Sequence, residues 1–245
     1  MSSTAHISGI EFEIKLLNID VVGVTEILKK IGGVKIHSMI EVPTTEYRTE
    51  VGYVRVSETG GGRVQLATKL LVGHNGYRMI KNETITIDQS YETANHFIDS
   101  LGIKDKAYRE LFREKWYVPG TKTIYITEIP GIPTYMRIVT FTEASLNSFL
   151  LHFEKCERFL GTFADTYEHY YGIDSSDFHI QVPELSFKTA YEILSTMAKK
   201  DKLLLQKVCE DQRQYVDIMD GSYIRRMLKN ISNKPAGVIL RDLNI

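Results

Sequence analysis

The sequence predicts an α+β fold in which helices flank an antiparallel sheet or barrel of about eight strands. Between residues 34 and 141, apolar and polar residues mostly alternate with the period of two that is typical of half-buried strands. Short glycine- and proline-containing turns, such as residues 59–62 and 119–120, separate these segments. Turns of this length join antiparallel neighbours, whereas a doubly wound parallel sheet needs long crossover connections.

The alternation locates the strands in order along the chain. Before residue 34 it is found in one segment, which begins near the N-terminus and carries the charged residues discussed below. The predicted strands cover residues 10–17, 34–40, 51–57, 64–72, 77–87, 112–118, 123–129 and 134–141.

Apolar residues at helical spacing predict the flanking helices. The first helix ends at Gly32-Gly33, and the others end near a glycine or continue into the C-terminal region. Because the strand signal fades past Pro183, we predict a barrel domain over residues 1–180 and a helical appendage over residues 181–245. The predicted helices cover residues 24–31, 91–101, 146–160, 187–199, 203–214 and 223–229.

Composition narrows the classes of partner and the cellular location. A formal net charge of −1 argues against wholesale electrostatic binding of nucleic acid or of an anionic membrane, although it allows a local basic pocket. Cys156 and Cys209 are too few for a disulfide framework and lack metal-ligand spacing. With no signal peptide and no apolar run of ~18 residues, the sequence predicts a cytoplasmic protein without a membrane span. It leaves open whether the chain forms a homodimer.

Ionic residues recur near the middle of one face of several predicted strands. Glu11, Glu13 and Lys15 share a face of the first strand, and on one strand alone such residues would simply face water. Their recurrence is more informative, because one face must point into the lumen if the sheet closes into a barrel. A lumen of this kind would bind a polyanion through point charges and guanidinium forks. The further ionic residues are Arg55, Lys69, Lys81, Glu83, Arg113, Lys115, Glu128 and Arg137.

The order of these motifs resembles the CYTH superfamily, also called triphosphate tunnel metalloenzymes. The similar segments are Glu11-Phe12-Glu13-Ile14-Lys15, Tyr53-Val54-Arg55-Val56, Leu66-Ala67-Thr68-Lys69, Arg113-Glu114-Lys115 and the Pro-Gly turn of residues 128–135. The resemblance extends over residues 8–172. It implies a closed, eight-stranded antiparallel barrel that forms a triphosphate tunnel. Members of this family include class IV adenylyl cyclases, thiamine triphosphatases, inorganic tripolyphosphatases and some RNA triphosphatases.

The resemblance also implies roles for individual residues. Glu11, Glu13 and Lys15 would be catalytic, and Glu11, Glu13 and Glu128 would bind Mg²⁺ or Mn²⁺. Hard cations of this kind prefer oxygen ligands, and neutralising phosphoryl oxygens is most of what phosphoryl transfer needs. The implied substrate-binding residues are Lys15, Arg55, Lys69, Lys81, Arg113, Lys115 and Arg137.

The sequence departs from the family pattern at three places. Ser57 stands where a second arginine usually follows Arg55, and the Arg113–Lys115 pair has the reverse of the common order. Arg137 and Val139 occupy the positions of a Glu-x-Glu pair that supplies metal ligands in the family. A guanidinium at the position of a metal ligand repels a divalent cation, so this departure argues against metal binding unless other carboxylates compensate.

Three functions are compatible with these observations. The preferred one is an enzyme that hydrolyses or cyclises a triphosphate compound with Mg²⁺ or Mn²⁺. The second is a barrel that binds a nucleotide or polyphosphate without turnover, and the third is an interaction scaffold that works through residues 181–245. The retained Glu-x-Glu-x-Lys opening favours the first two. The residues do not select among nucleotide, thiamine and inorganic triphosphates, because all of these compounds present the same phosphate oxygens.

Overall fold

The computed structural model describes residues 9–50, 52–59, 62–74, 76–103 and 105–221. Within these ranges it confirms an α+β fold with a mostly antiparallel sheet. The strands are β1 (Ile10–Leu17), β2 (Val34–Glu41), β3 (Thr44–Thr49), β4 (Gly52–Thr59), β5 (Arg63–His74), β6 (Arg78–Ile87), β7 (Lys106–Arg109), β8 (Phe112–Tyr117), β9 (Thr123–Ile129), β10 (Ile132–Thr140), β11 (Glu157–Phe159) and β12 (Glu184–Leu185).

The helices flank this sheet and follow it. They are α1 (Val21–Lys30), α2 (Tyr91–Ser100), α3 (Glu143–Leu150), α4 (Phe163–Tyr171), α5 (Phe178–Gln181), α6 (Ala190–Met197) and α7 (Lys202–Asp211). Residues 213–221 are again helical, whereas the predicted helix at 223–229 lies outside the described residues. No helix in the described ranges is long and apolar enough to cross a membrane.

The strands form a single sheet whose order corrects the predicted closed, eight-stranded barrel. The sheet has 12 strands in the order β12-β7-β3-β4-β5-β6-β1-β10-β9-β8-β2, with β11 paired to β1. It is therefore open, with β12 and β2 at its two ends. The strands that the alternation did not predict are β3, β7, β11 and β12.

The additional strands β3 and β7 arise because the chain bends at two places that lie side by side in the sheet. Val42-Pro43 separates β2 from β3, and Glu110-Leu111 separates β7 from β8. The Val42 N–H donates to the Leu111 carbonyl over 2.8 Å, so the two bends are paired, and Pro43 has no N–H with which to continue the ladder. Because this short connection links β2, at one end of the order, to β3, near the other, the sheet must curl around one of its faces.

The predicted helix over residues 146–160 is wrong in its second half. Helix α3 ends at Leu150, and β11 pairs antiparallel with the end of β1, where Phe159 lies opposite Lys15. Strand β6 pairs with β1 only as far as Glu13. The backbone groups beyond Glu13 therefore need another partner on that side, and β11 provides it.

Helices cover the outer face of the sheet and fix its register. Ile14 of β1, Ile124 of β9 and Ile138 of β10 lie in one buried apolar cluster with Leu28 of α1 and Leu146 of α3. Since successive strand residues point to opposite faces, burying these residues directs their neighbours to the inner face of the curled sheet. A slip by one residue would exchange the two sets.

Gln212 anchors the described part of the predicted appendage to the β9–β10 turn. Its side-chain amide donates to the carbonyls of Ile129 and Ile132, both at 3.0 Å, and to the Glu128 carboxylate at 3.1 Å. Its carbonyl accepts from the Gly131 N–H at 2.8 Å. The C-terminal helices thus pack directly on the sheet, while the division of the chain at residue 180 remains a prediction.

Replacing Gln212 by alanine should lower the free energy of unfolding by about 2–4 kcal/mol, because buried backbone groups of the turn would lose their partners. Urea unfolding followed by circular dichroism measures this change. The matched control is Gln214→Ala, since Gln214 is exposed and its amide makes one long bond of 3.4 Å to the Asp211 carbonyl. Equal effects of the two substitutions would contradict the anchoring role.

Candidate functional site

The register places ionic and polar residues of seven neighbouring strands on the inner face. Residues directly opposite each other in an antiparallel ladder share a face, so the pairs can be followed from strand to strand. From β4 to β8, this face carries Tyr53, Arg55, Lys69, Asn82, Arg78, Glu11, Glu13, Lys15, Arg137, Tyr125, Arg113 and Lys115.

Glu13 lies at the centre of an ion cluster with Lys69, Arg78 and Arg137, called here the Glu13 cluster. Its carboxylate accepts from Lys69 Nζ at 3.4 Å, from Arg78 Nη1 at 3.3 Å and from Arg137 Nη1 at 3.2 Å. Glu13 is only 2% exposed. Burial alone would raise the pKa of this carboxyl, but the cations Lys69, Arg137 and Arg78 hold the pKa well below its usual range. Glu13 therefore remains ionised.

The cations of this cluster respond differently to burial. Burial lowers the pKa of Lys69 to about 7, and the neighbouring Glu13 only partly opposes this shift. Burial is the largest single effect on Arg137 and lowers its pKa, but Glu13 together with nearby tyrosines outweighs burial, so the pKa of that guanidinium is raised. Lys69 is thus the member of the cluster whose charge changes near neutral pH.

A second group of cations surrounds Tyr125. The guanidinium carbons of Arg113 and Arg137 lie 4.7 and 4.8 Å from the centre of its ring. Burial, together with Arg137 and Arg55, lowers the pKa of Arg113 to about 10. The influence of Arg55 on Arg113 is informative, because Arg55 lies on β4 and Arg113 on β8. The curled sheet therefore brings the inner faces of these distant strands towards each other.

Three guanidiniums of the described residues have a buried hydrogen-bond donor without a partner. In the described part of the chain, the Nε atoms of Arg55, Arg78 and Arg113 are buried and have no hydrogen-bond partner. Over the same residues, neither Arg55 nor Arg113 forms an ion pair with a carboxylate. An unsatisfied buried donor costs about 1–3 kcal/mol, and more when it is charged. An anion with several oxygens would satisfy these donors.

The glutamates of the inner face do not form a metal centre. Glu11 accepts from Asn82 Nδ2 at 3.0 Å and is paired with Lys122, while Glu13 is held by its three cations. Across the described residues, no group of three or more His, Cys, Asp or Glu side chains could hold a metal ion. With both carboxylates already neutralised and a guanidinium beside them, the residues present do not fit a divalent cation.

Glu128, predicted as a metal ligand, lies on the outer face. It is opposite Phe112 in the β8–β9 ladder, whereas the inner positions of β9 are Tyr125 and Thr127. Its carboxylate accepts from Thr134 and from Gln212, and burial raises its pKa despite these hydrogen bonds. Glu128 therefore connects the C-terminal helices to the turn and does not reach Glu11 or Glu13.

Lys81, predicted to bind substrate, also points away from the inner face. Its side chain is 48% exposed and forms an ion pair of 3.8 Å with Glu83 on the same strand. The inner positions of β6 belong to Arg78 and Asn82. Polar residues occur at both parities of this strand, so the period of two could not show which set faces inwards.

Lys15 lies on the inner face, but its amine is used by the protein. It donates to the carbonyls of Gly161 and Thr162, the latter at 3.0 Å, and lies 5.5 Å from the centre of the Phe159 ring. Burial lowers its pKa to about 7, against the opposing effect of Glu13. This placement favours a role in holding the segment before α4 over the predicted contact with substrate.

Four residues of the site were missed in the sequence. Arg78 and Asn82 were missed because polar residues occupy both alternating sets of positions in their strand, so the pattern did not show which set faces inwards. Lys122 precedes β9 in a turn, where alternation gives no signal. Tyr125 shares a parity with Thr123 and Thr127, and only the cross-strand pairs with Arg137 and Lys115 give it a charged environment.

The chain matches no protein-family model and no curated protein. Among solved structures, a candidate adenylate cyclase from Vibrio parahaemolyticus is similar, with a TM-score of 0.52 and 13% identity, over 65% of this chain and 98% of that one. The chain has the CYTH fold.

Two more distant structures also match this CYTH-fold chain. A candidate adenylyl cyclase from Hippeastrum with a dominant triphosphatase activity gives a TM-score of 0.41 at 13% identity, over 61% of this chain and 87% of that one. The RNA triphosphatase domain of a mimivirus mRNA capping enzyme gives 0.35 at 14% identity, over 61% and 88%. At these identities the comparisons concern the fold, so the function has to be argued from the residues.

Replacing Glu13 by glutamine should lower the free energy of unfolding by about 3–5 kcal/mol, since three buried cations would lose their shared counter-charge. Added sulfate should recover part of this loss, because a multivalent anion can take the place of the carboxylate. Urea unfolding with and without sulfate measures both effects. The control is Glu83→Gln, whose side chain is 56% exposed. A Glu13 variant as stable as this control would contradict the central role of Glu13.

Proposed function

We propose that this chain binds a triphosphate or longer polyphosphate compound on the inner face of its sheet without requiring a divalent metal. The observation that supports this function is the pair of guanidiniums, Arg55 and Arg113, whose buried Nε donors have no partner among the described residues. A buried cation without a counter-charge is costly, and an anionic ligand removes that cost.

The surrounding groups suit a chain of phosphoryl groups. Arginine presents a planar fork that matches two oxygens at once, whereas lysine supplies a compact charge. Arg55 and Arg113 provide forks. Point charges come from Lys69, on the strand beside Arg55, and from Lys115, on the same strand as Arg113. Several cations spread along one face match a ligand whose charge is also spread over several groups.

Glu13 contributes to this site by positioning its cations. It keeps Lys69, Arg78 and Arg137 close together although like charges repel. Its charge partly opposes the lowering of the Lys69 pKa by burial and contributes to the raised pKa of Arg137. Built-in guanidinium and ammonium groups would then do part of the charge neutralisation that a metal ion does in other phosphate sites.

The second candidate is the predicted hydrolysis or cyclisation of a triphosphate with Mg²⁺ or Mn²⁺. It is favoured by Glu11 and Glu13, which both lie on the inner face. It would require the metal to displace Lys122 from Glu11, or the three cations from Glu13. We therefore prefer binding without metal. Nothing in the described residues favours the scaffold function in particular.

Replacing Lys69 or Arg113 by alanine should weaken the binding of tripolyphosphate at least tenfold, because each removes a charged hydrogen-bond donor from the site. Isothermal titration calorimetry measures the affinity. Lys81→Ala is the matched control, since Lys81 is a strand lysine that faces solvent. Unchanged affinity in both site variants would rule out binding on the inner face.

The same titration separates the two candidate functions. We expect equal tripolyphosphate affinity with EDTA and with Mn²⁺, and no release of inorganic phosphate. Affinity that depends on Mn²⁺, together with turnover, would instead establish the metal-dependent enzyme.

Tripolyphosphate affinity should fall as the pH rises above about 7, by up to about tenfold per pH unit, because the pKa of Lys69 in the free protein is about 7. A bound anion stabilises the charged amine and raises this pKa, so binding takes up a proton. Calorimetry in buffers of different ionisation enthalpy measures the uptake.

Because tripolyphosphate itself titrates near neutral pH, the proper comparison for this pH dependence is the Lys69→Arg variant. Arginine stays charged across this range, so the variant should show a flatter profile and a smaller proton uptake. Identical profiles for the two proteins would show that Lys69 does not titrate on binding.

A further inference from the structure

A cavity of about 280 Å³, called here the side pocket, opens beside the inner face. It adjoins the proposed phosphate site because two of its lining residues, Arg78 and Tyr53, also belong to the inner face. Its volume is near the lower end of the range of roughly 300–1,000 Å³ that is typical of small-molecule sites.

The walls of the side pocket are partly apolar and well supported. Phe163, Ala164, Phe178 and Ala107 line it. The Phe178 ring stacks on Tyr167 with centroids 4.6 Å apart. The guanidinium carbon of Arg109, also in the lining, lies 5.4 Å from the Phe163 ring and 5.6 Å from the Phe178 ring. These flat, packed groups suit a flat ligand better than a tetrahedral phosphate.

The side pocket also contains an unpaired acceptor. Glu46 lies on the same face of β3 as Ala107 of β7 and Arg55 of β4, and it is half-buried. In the described part of the chain, its carboxylate has no hydrogen bond and no ion pair of 4.0 Å or less. A ligand group next to Glu46 must donate a hydrogen or carry a positive charge.

Two nitrogen atoms without a hydrogen-bond partner lie in the same wall. Among the described residues, the Arg78 Nε donor is buried without a partner, and so is Nδ1 of His179, a residue only 8% exposed. The Nδ1 atom is an acceptor in the tautomer that donates Nε2–H. His179 Nε2 is 3.2 Å from the Asp105 carboxylate, which also lines the pocket. The pocket thus offers both donors and acceptors beside apolar walls.

We propose that the side pocket binds the amine-bearing base of a nucleoside triphosphate whose phosphates lie on the inner face. This inference rests on the proposed function and adds the class of ligand to it. A nucleobase is flat, so it fits between the aromatic walls, and its N–H groups donate to Glu46. Its ring nitrogens or carbonyls accept from the Nε–H of Arg78. Glu46 is therefore the residue that distinguishes a nucleotide from inorganic polyphosphate.

Lys15 has a positioning role in this arrangement. Thr162 lines the side pocket, and the buried Lys15 amine donates to its carbonyl at 3.0 Å and to the carbonyl of Gly161. Lys15 thereby ties the wall that begins α4 to β1, next to the Glu13 cluster.

The experiment measures affinities for tripolyphosphate, ATP and GTP by calorimetry with wild-type protein, Glu46→Gln and Ala107→Phe. Glu46→Gln removes the charge with little change in shape, and Ala107→Phe fills the pocket. Wild type should bind one of the two nucleotides at least tenfold more tightly than tripolyphosphate. Glu46→Gln should weaken that nucleotide about tenfold and leave tripolyphosphate within about twofold. The control Glu83→Gln should change neither ligand.

Ala107→Phe should reduce the affinity for the nucleotide to that for tripolyphosphate. The contact between the base amine and Glu46 is also tested by removing the amine from the ligand. Purine riboside triphosphate then replaces ATP, or inosine triphosphate replaces GTP. Loss of the amine and the Glu46→Gln substitution should not be additive, because both delete one hydrogen bond.

The outcomes separate this inference from the proposed function. If tripolyphosphate binds and neither nucleotide binds more tightly, or if both pocket variants keep the wild-type preference, the side pocket is not a base site. If a nucleotide binds in a way that depends on Glu46, while tripolyphosphate does not bind and Arg113→Ala leaves the nucleotide affinity unchanged, the base site stands and the proposed phosphate binding on the inner face is wrong. If none of the three ligands binds, both are wrong.

Discussion

The inner face of this sheet depends on the contact between one buried carboxylate and three cations. Glu13 accepts hydrogen bonds from residues of β5, β6 and β10, so it links strands that lie on both sides of β1. Removing charges from water costs several kcal/mol per ion, and the cost is recovered only where opposite charges meet. Without Glu13, Lys69, Arg78 and Arg137 would repel one another in a region of low dielectric constant. With Glu13 in place, the inner face can hold more basic than acidic side chains.

The same contact makes the site different from a metal centre. A divalent cation needs free carboxylate oxygens, and here those of Glu13 and Glu11 are already engaged by side chains of the protein. Among the described residues, Arg55 and Arg113 have buried Nε donors without a partner and form no ion pair with a carboxylate. The face is therefore suited to an anion. The side pocket extends it towards aromatic walls and Glu46, where a different kind of chemical group would be recognised.

The rest of the fold holds this face in place. The apolar residues of β1, β9 and β10 are buried under α1 and α3, which fixes the register and directs the ionic residues inwards. The paired bends at Val42-Pro43 and Leu111 curl the sheet, so that Arg55 contributes to the lowered pKa of Arg113 although several strands separate them. Gln212 and Glu128 fasten the C-terminal helices to the β9–β10 turn, next to the strand that carries Arg137.

The sequence by itself determined the α+β class, the longer strands and which ionic residues share a face within one strand, such as Glu11 with Glu13. It could do so because the period of two is a local property of a strand with one buried face. The family resemblance, and not the alternation, grouped these glutamates with Arg55, Lys69, Arg113 and Arg137. Tertiary structure decided the rest. Whether Arg78 or Lys81 faces inwards depends on how β6 pairs with β1. Glu128 shares its face with the apolar Ile124 and Ile126, and its predicted role as a metal ligand came from the family resemblance and not from the alternation. Contacts between segments that are distant in sequence produce the open order of the sheet, the ion pairs of Glu11 and Glu13, and the side pocket. Local sequence patterns do not predict such contacts.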